Sequence, residues 1–208
     1  RSNFVLFGLP LTIAVFGDSA ASIAAMMVTV VVSIYNTTSV FILEMFNGEG
    51  KSDIKKTLKA VVTNPLLQGA VVGLIFFFLG IKLPGSLVTP IAAFSNMTSP
   101  LAIYVLGGTL QFRAIRKNLK YLVPTLTCKL FFLPGIIIAI AYAFGLRGLE
   151  LFLLIAVYAT PVAAASYPMA QNMGGDGELA GQFVVISTAV SMFTLFLWIF
   201  FMKSVGLI

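Results

Sequence analysis

The chain has 208 residues, enough for one or two soluble domains, but 59% of them are hydrophobic and only 10% are charged. A typical soluble domain has about 45–50% and about 25% respectively, so polar groups cannot cover a water-facing surface here and lipid must be the solvent. The chain has no histidine, which excludes imidazole metal sites and His-based catalysis, and its single cysteine, Cys128, excludes an internal disulfide. The net charge of +6 is no nucleic-acid signal, because the basic residues are gathered in two short loops as the positive-inside rule requires.

A membrane-crossing helix needs roughly 20 apolar residues. Punctuation by Gly, Pro and charge predicts seven segments: 3–16, 20–46, 64–79, 87–110, 121–144, 151–173 and 179–202. The fold class is therefore an all-α polytopic membrane protein. The loop after the second segment carries Lys51, Lys55, Lys56 and Lys59, and the loop after the fourth carries Arg113, Arg116, Lys117 and Lys120. By the Lys/Arg bias this face is cytoplasmic, with Arg1 assigned to it and the C-terminus outside, in a multi-pass cell (inner or plasma) membrane protein. Between Lys51 and Val62, apolar residues Ile54, Leu58, Val61 and Val62 recur at helical spacing among lysines. That pattern fits either a segment lying on the inner leaflet or a solvated basic linker.

Two segments are broken by proline. The first places Gly8 and Pro10 within an apolar run, and the sixth carries Thr160-Pro161 and Ser166-Tyr167-Pro168. Each is followed by an acidic glycine turn, at Gly17-Asp18 and Gly174-Gly175-Asp176, and then by a long apolar segment. The two copies run in opposite directions across the membrane. Proline removes a backbone donor and frees a carbonyl, which in lipid must be paired by protein or a wet cavity. Interrupted spans at matching positions of two inverted halves mark a secondary-transporter site near the midplane, where half-helix N-termini favour an anion. In the bland alternative the prolines only kink their helices.

Lys129 is the only charge deep within a segment. Two functional roles fit it, attracting a substrate anion or capping carbonyls freed at the crossing, and so does a third reading in which it snorkels to the headgroups. Asn3, Thr160 and Ser166 flank the breaks and can hydrogen-bond either a carboxylate or the unpaired backbone. Asp18 and Asp176 are expected as N-caps. Asn36, Thr37 and Thr38 form a polar cluster expected to face protein. Gly69 and Gly73 make a small-xxx-small pair suited to close helix packing.

The ordered motifs Asn3, Gly8–Pro10 and Phe16–Asp18, then Asn64-Pro65 with Gly73 and Gly80–Pro84, then Ser99-Pro100 with Leu106–Leu110, then Thr160-Pro161 with Tyr167 and Gly174–Ala180, resemble spans four, six, seven and nine of the auxin efflux carrier family. That family includes bacterial malate and malonate permeases and plant auxin exporters. The resemblance implies ten spans in two inverted five-helix repeats. Broken fourth and ninth spans cross at an organic-anion site, and a scaffold of the first, second, sixth and seventh spans supports a moving core, often in a homodimer. The chain then reads as such a carrier lacking its first three spans. Residues 1–46 and 121–203 form core spans, 64–110 scaffold spans, and 47–63 and 111–120 basic cytoplasmic connections. The implied substrate site comprises Asn3, Gly8, Pro10, Thr160, Pro161, Ser166 and Lys129. The partners are a small organic anion (a mono- or dicarboxylate such as malate or malonate, or an auxin-like carboxylate), membrane lipids and a second copy through the scaffold. No cofactor and no nucleic acid are implied. A seven-span receptor or sensor is the second reading. An enzyme is disfavoured, since the chain offers no His, no Cys pair and no central carboxylate pair.

Overall fold

The structure, a computed structural model, describes residues 1–46, 65–109 and 112–208. The basic segment with Ile54, Leu58, Val61 and Val62, and the motif residue Asn64, lie outside the described residues. Among the described residues eight helices follow one another. They are α1 (Phe4–Phe16), α2 (Ala21–Phe46), α3 (Pro65–Phe78), α4 (Gly85–Thr109), α5 (Phe112–Ala143), α6 (Gly148–Ala159), α7 (Ser166–Asn172) and α8 (Gly177–Ser204). Three stretches are long and apolar enough to cross a membrane, namely Asp18–Phe46, Ile115–Ala143 and Gly177–Ser204. Helices α1 and α6 are apolar but too short to cross alone.

The order of ends follows from contacts. At the end where α5 begins with Arg116, Lys117 and Lys120, Asn118 donates to the Gln182 side chain at 2.9 Å, joining α5 to the start of α8. Leu43, near the end of α2, packs there against Met169 and Met173. At the far end Phe16 of α1 meets Phe152 of α6 edge-on at 5.3 Å, and the Gly148 N–H donates to Leu207 O at 2.9 Å. Helix α6 is the centre of the bundle, with Leu151, Phe152, Leu153, Ile155, Ala156, Val157 and Ala159 all buried among α1, α2, α5 and α8. Many other large side chains, from Ile23 and Met26 to Phe193 and Phe200, face outward and meet lipid. Polar groups on lipid-facing helices bond within their own helix, as Ser33 does to Thr29 O at 2.8 Å and Thr37 to Ser33 O at 2.9 Å.

Several expectations need correction. The segment 112–120 is no loop but the first turns of α5, because its lysines and arginines are good helix formers. Thr37 and Thr38 are exposed, so the polar cluster in α2 does not face protein as a unit, and only Asn36 is partly covered. Asp18 opens a single 3₁₀ turn without capping a helix, whereas Asp176 is a true N-cap that accepts the Leu179 N–H at 2.8 Å. Gly69 and Gly73 have open space around them, so among the described residues no helix packs closely there.

The largest correction concerns Pro10. It does not break its helix, which runs unbroken from Phe4 to Phe16. The first turns, Phe4–Gly8, are a π-turn in which the Leu9 N–H reaches back to Phe4 O. A proline in an α-register collides with the carbonyl four residues earlier, and one extra residue in the preceding turn relieves that collision. The same device recurs in α5. There the π-turn Cys128–Phe132 precedes Leu133-Pro134 as Phe4–Gly8 precedes Leu9-Pro10. Pro134 leaves Leu130 O without its helical donor, and the Trp198 indole supplies one at 2.9 Å.

Candidate transport site at a helix crossing

The second broken segment does break. Pro161 forces the preceding residue out of the helical region, and Thr160 is extended at φ −68°, ψ 155°. Helix α6 therefore ends at Ala159, and α7 resumes at Ser166. No such break occurs at Pro10, and the break at Pro161 pairs instead with residues 1–3, ahead of α1. Ser2 pairs with Val162 in an isolated antiparallel bridge, with the Asn3 N–H donating to Pro161 O at 2.9 Å and the Ala163 N–H to Arg1 O at 3.4 Å. Two short non-helical segments thus pair inside the bundle. At 1.5 Å per residue, the crossing lies about 18–20 Å from the far end along α1 and α6 and about 10 Å from the basic end along α7. Arg1 is therefore paired into the crossing, about 10 Å along α7 from the basic end.

Several freed backbone groups of the crossing find partners. Tyr158 O accepts from Lys129 Nζ at 3.2 Å. Thr160 O accepts from the Ser2 hydroxyl at 3.3 Å, and the two hydroxyls of Ser2 and Thr160 lie 2.6 Å apart. The Val162 N–H donates to Ser187 Oγ at 2.9 Å, and the Ser187 hydroxyl in turn donates to Val184 O at 3.1 Å. Unpaired groups in hydrocarbon cost several kcal/mol each, so this matching is what lets irregular chain persist at such depth.

A cavity of about 240 Å³ opens against the crossing, lined among others by Asn3, Tyr35, Ser95, Asn96 and the run Ala163–Ala165. The small alanines leave the backbone near the cavity wall. Tyr35 comes from α2, and Ser95 and Asn96 come from α4, so the two helix pairs meet at this space. A second, open groove of about 580 Å³ shares Arg1 and Tyr35 with the cavity and is lined further by Lys129, Cys128, Thr125 and Tyr158.

The residues expected in the site are distributed as follows. Asn3 lines the cavity. Thr160 is fully buried with its hydroxyl held by Ser2, and Pro161 is buried behind it. Lys129 faces the groove, not the cavity, and its ammonium reaches Ser2 Oγ at 3.5 Å as well as Tyr158 O. A charge at this depth costs about 2.5–3.5 kcal/mol on insertion scales, and two oxygen acceptors offset part of it. Ser166 lines a separate opening toward the basic end, and its buried Oγ has no protein partner. Gly8 is a packing residue, since a Cβ there would lie 3.1 Å from Ala156 O and run into the Phe4 ring. Pro10 is exposed on α1 away from the cavity. Sequence reasoning missed Ser2, Ser187, Tyr35 and the cavity position of Arg1. Serine in a membrane helix carries no signal that separates a cross-chain ligand such as Ser187 from a self-bonded one such as Ser191.

A sequence profile described as "membrane transport protein" matches residues 1–199. The chain belongs to the auxin efflux carrier family of membrane transport proteins. Within this carrier family, a protein of Methanothermobacter thermautotrophicus described as an uncharacterized transporter is 25% identical over 196 residues, covering 94% of the chain. The chain spans 63% of the length of that relative. No solved structure matches the carrier chain.

Proposed function

We propose that the protein carries a small organic anion, a mono- or dicarboxylate such as malate, malonate or an auxin-like acid, across the cell membrane by alternating access. The observation that carries this reading is the 240 Å³ cavity at the crossing, lined by Asn3, Tyr35, Ser95, Asn96 and the run Ala163–Ala165. An anion there is favoured by the positive charge of Arg1, which lines the cavity with no Asp or Glu beside it. In this reading α1, α2 and α5–α8 form the moving core of two inverted repeats, and α3 and α4 belong to a scaffold that also forms a homodimer. Movement of α4 against the crossing would open the cavity to one side and then the other. The basic end is cytoplasmic and the C-terminus external, by the Lys/Arg bias.

Counterflow in proteoliposomes tests this directly, with the full-length natural protein and labelled malate, malonate and an indole carboxylate. Saturable exchange of one of them is the expected result. No exchange by protein shown to be correctly inserted would replace the carrier reading with a sensor built on a carrier fold.

A further inference from the structure

One cation borders the crossing cavity. Arg1 lines it beside Asn3, and no Asp or Glu is among the lining residues. The Arg1 backbone is fixed by the crossing itself, through its carbonyl on the Ala163 N–H and the Ser2–Val162 bridge that follows. The side chain is partly buried, and its guanidinium donates only to the Met169 thioether, 3.1 Å from Nη1. A thioether is a weak acceptor, and a guanidinium holds five N–H donors in a planar fork. Most of those donors therefore have no protein acceptor among the described residues. Arg1 also borders the second groove and the opening that runs toward the basic end past Ser39 and Ser166. It is the one residue common to all three spaces.

Lys129 is the opposite case. Its ammonium is taken up by Tyr158 O and Ser2 Oγ, and it is absent from the cavity lining. A charged group committed to the backbone cannot also grip a ligand in the cavity.

We infer that Arg1 is the residue that reads the substrate's charge, gripping one carboxylate through a bidentate fork, while Lys129 is a positioning residue that holds the crossing and does not touch substrate. The inference rests on the anion-carrier reading and assigns its charge selectivity to one side chain. Because Arg1 borders all three spaces, the same fork can receive the carboxylate from each of them.

The test is counterflow by the full-length protein with Arg1→Gln, Arg1→Lys and Lys129→Gln, using the labelled carboxylates named above and the neutral amide of the one exchanged as competitor. Loss of a bidentate charged contact should raise KM roughly tenfold or more in Arg1→Gln and abolish discrimination between carboxylate and amide. Arg1→Lys keeps the charge without the fork, so its KM should fall between the two with discrimination retained. Lys129→Gln should lower the maximal rate and the unfolding temperature and leave KM and discrimination in place. Unchanged KM in Arg1→Gln, or an equal rise in Lys129→Gln, overturns the assignment while the carrier reading stands. Absence of exchange by the wild type overturns both. If Arg1→Gln does not insert, Arg1→Lys decides, since an unchanged KM in a variant of native unfolding temperature rules out the fork.

Discussion

Ser187→Ala isolates one bond that sustains the crossing. Ser187 and Ser191 are both fully buried on α8, and each makes a back-bond to a carbonyl of its own helix, to Val184 and Thr188 respectively. Ser187 alone also accepts the Val162 N–H, at 2.9 Å. The N–H follows Pro161, which has no donor of its own, and flanking residues Pro161 and Ala163 are buried, so no water is at hand to replace the hydroxyl. Leaving a buried donor unsatisfied costs about 1–3 kcal/mol. In Ser191→Ala the freed carbonyl keeps its helical partner, and the cost should be near zero. For a chain of this length about 1 kcal/mol corresponds to about 2–4 °C, so Ser187→Ala should melt about 3 °C or more below Ser191→Ala. The single tryptophan, Trp198, reports unfolding by its fluorescence in detergent. Equal melting of the two variants would refute the claim that Ser187 satisfies the crossing backbone.

Three further outcomes are expected. Trp198→Phe should cost about 1–3 kcal/mol by orphaning Leu130 O, and should cost almost nothing in a Pro134→Ala background that restores the helical donor, as a double-mutant cycle followed by circular dichroism would show. Gly8→Ala should destabilise by about 1–3 kcal/mol through crowding against Ala156 O and Phe4, whereas Gly73→Ala, with open space around it, should stabilise by up to about 1 kcal/mol; thermal melts compare the two. Asp176→Ala should lower stability by about 1 kcal/mol and Asp176→Asn by much less, since asparagine still accepts the Leu179 N–H, again read as melting temperatures.

The long helices were legible because span length and apolar composition are local quantities, and the break at Thr160-Pro161 was legible because proline constrains the residue before it. Pro10 carries the same chemical signal and was misread. Its steric conflict is absorbed by a π-turn, and a register change inside a helix leaves no mark in composition. The pairing of Arg1 was missed for a different reason. Counting lysines and arginines treats charge as a property of loops, while Arg1 is held by pairing with Pro161–Ala163, which no local rule can see. The site suffered likewise. Asn3 was found because a polar residue beside a break is conspicuous, yet Ser95 and Asn96 enter the cavity only through the way α4 lies against the crossing.

The two π-turns each hold one residue more than the α-register would, and this has a mechanical meaning for α5. An added residue rotates everything on one side of it by about 100° around the helix axis relative to the other side. The half of α5 before Leu133 can therefore turn Lys129 toward Tyr158 and Ser2, while the half after it presents Gly135 to the Trp198 ring, whose edge would lie 3.2 Å from an added Cβ. Deleting one residue between Cys128 and Phe132 would straighten the register and swing the lysine off both acceptors. A single inserted amino acid thus works as an angular coupling, letting one continuous rod face two neighbours that no uniform helix could address together.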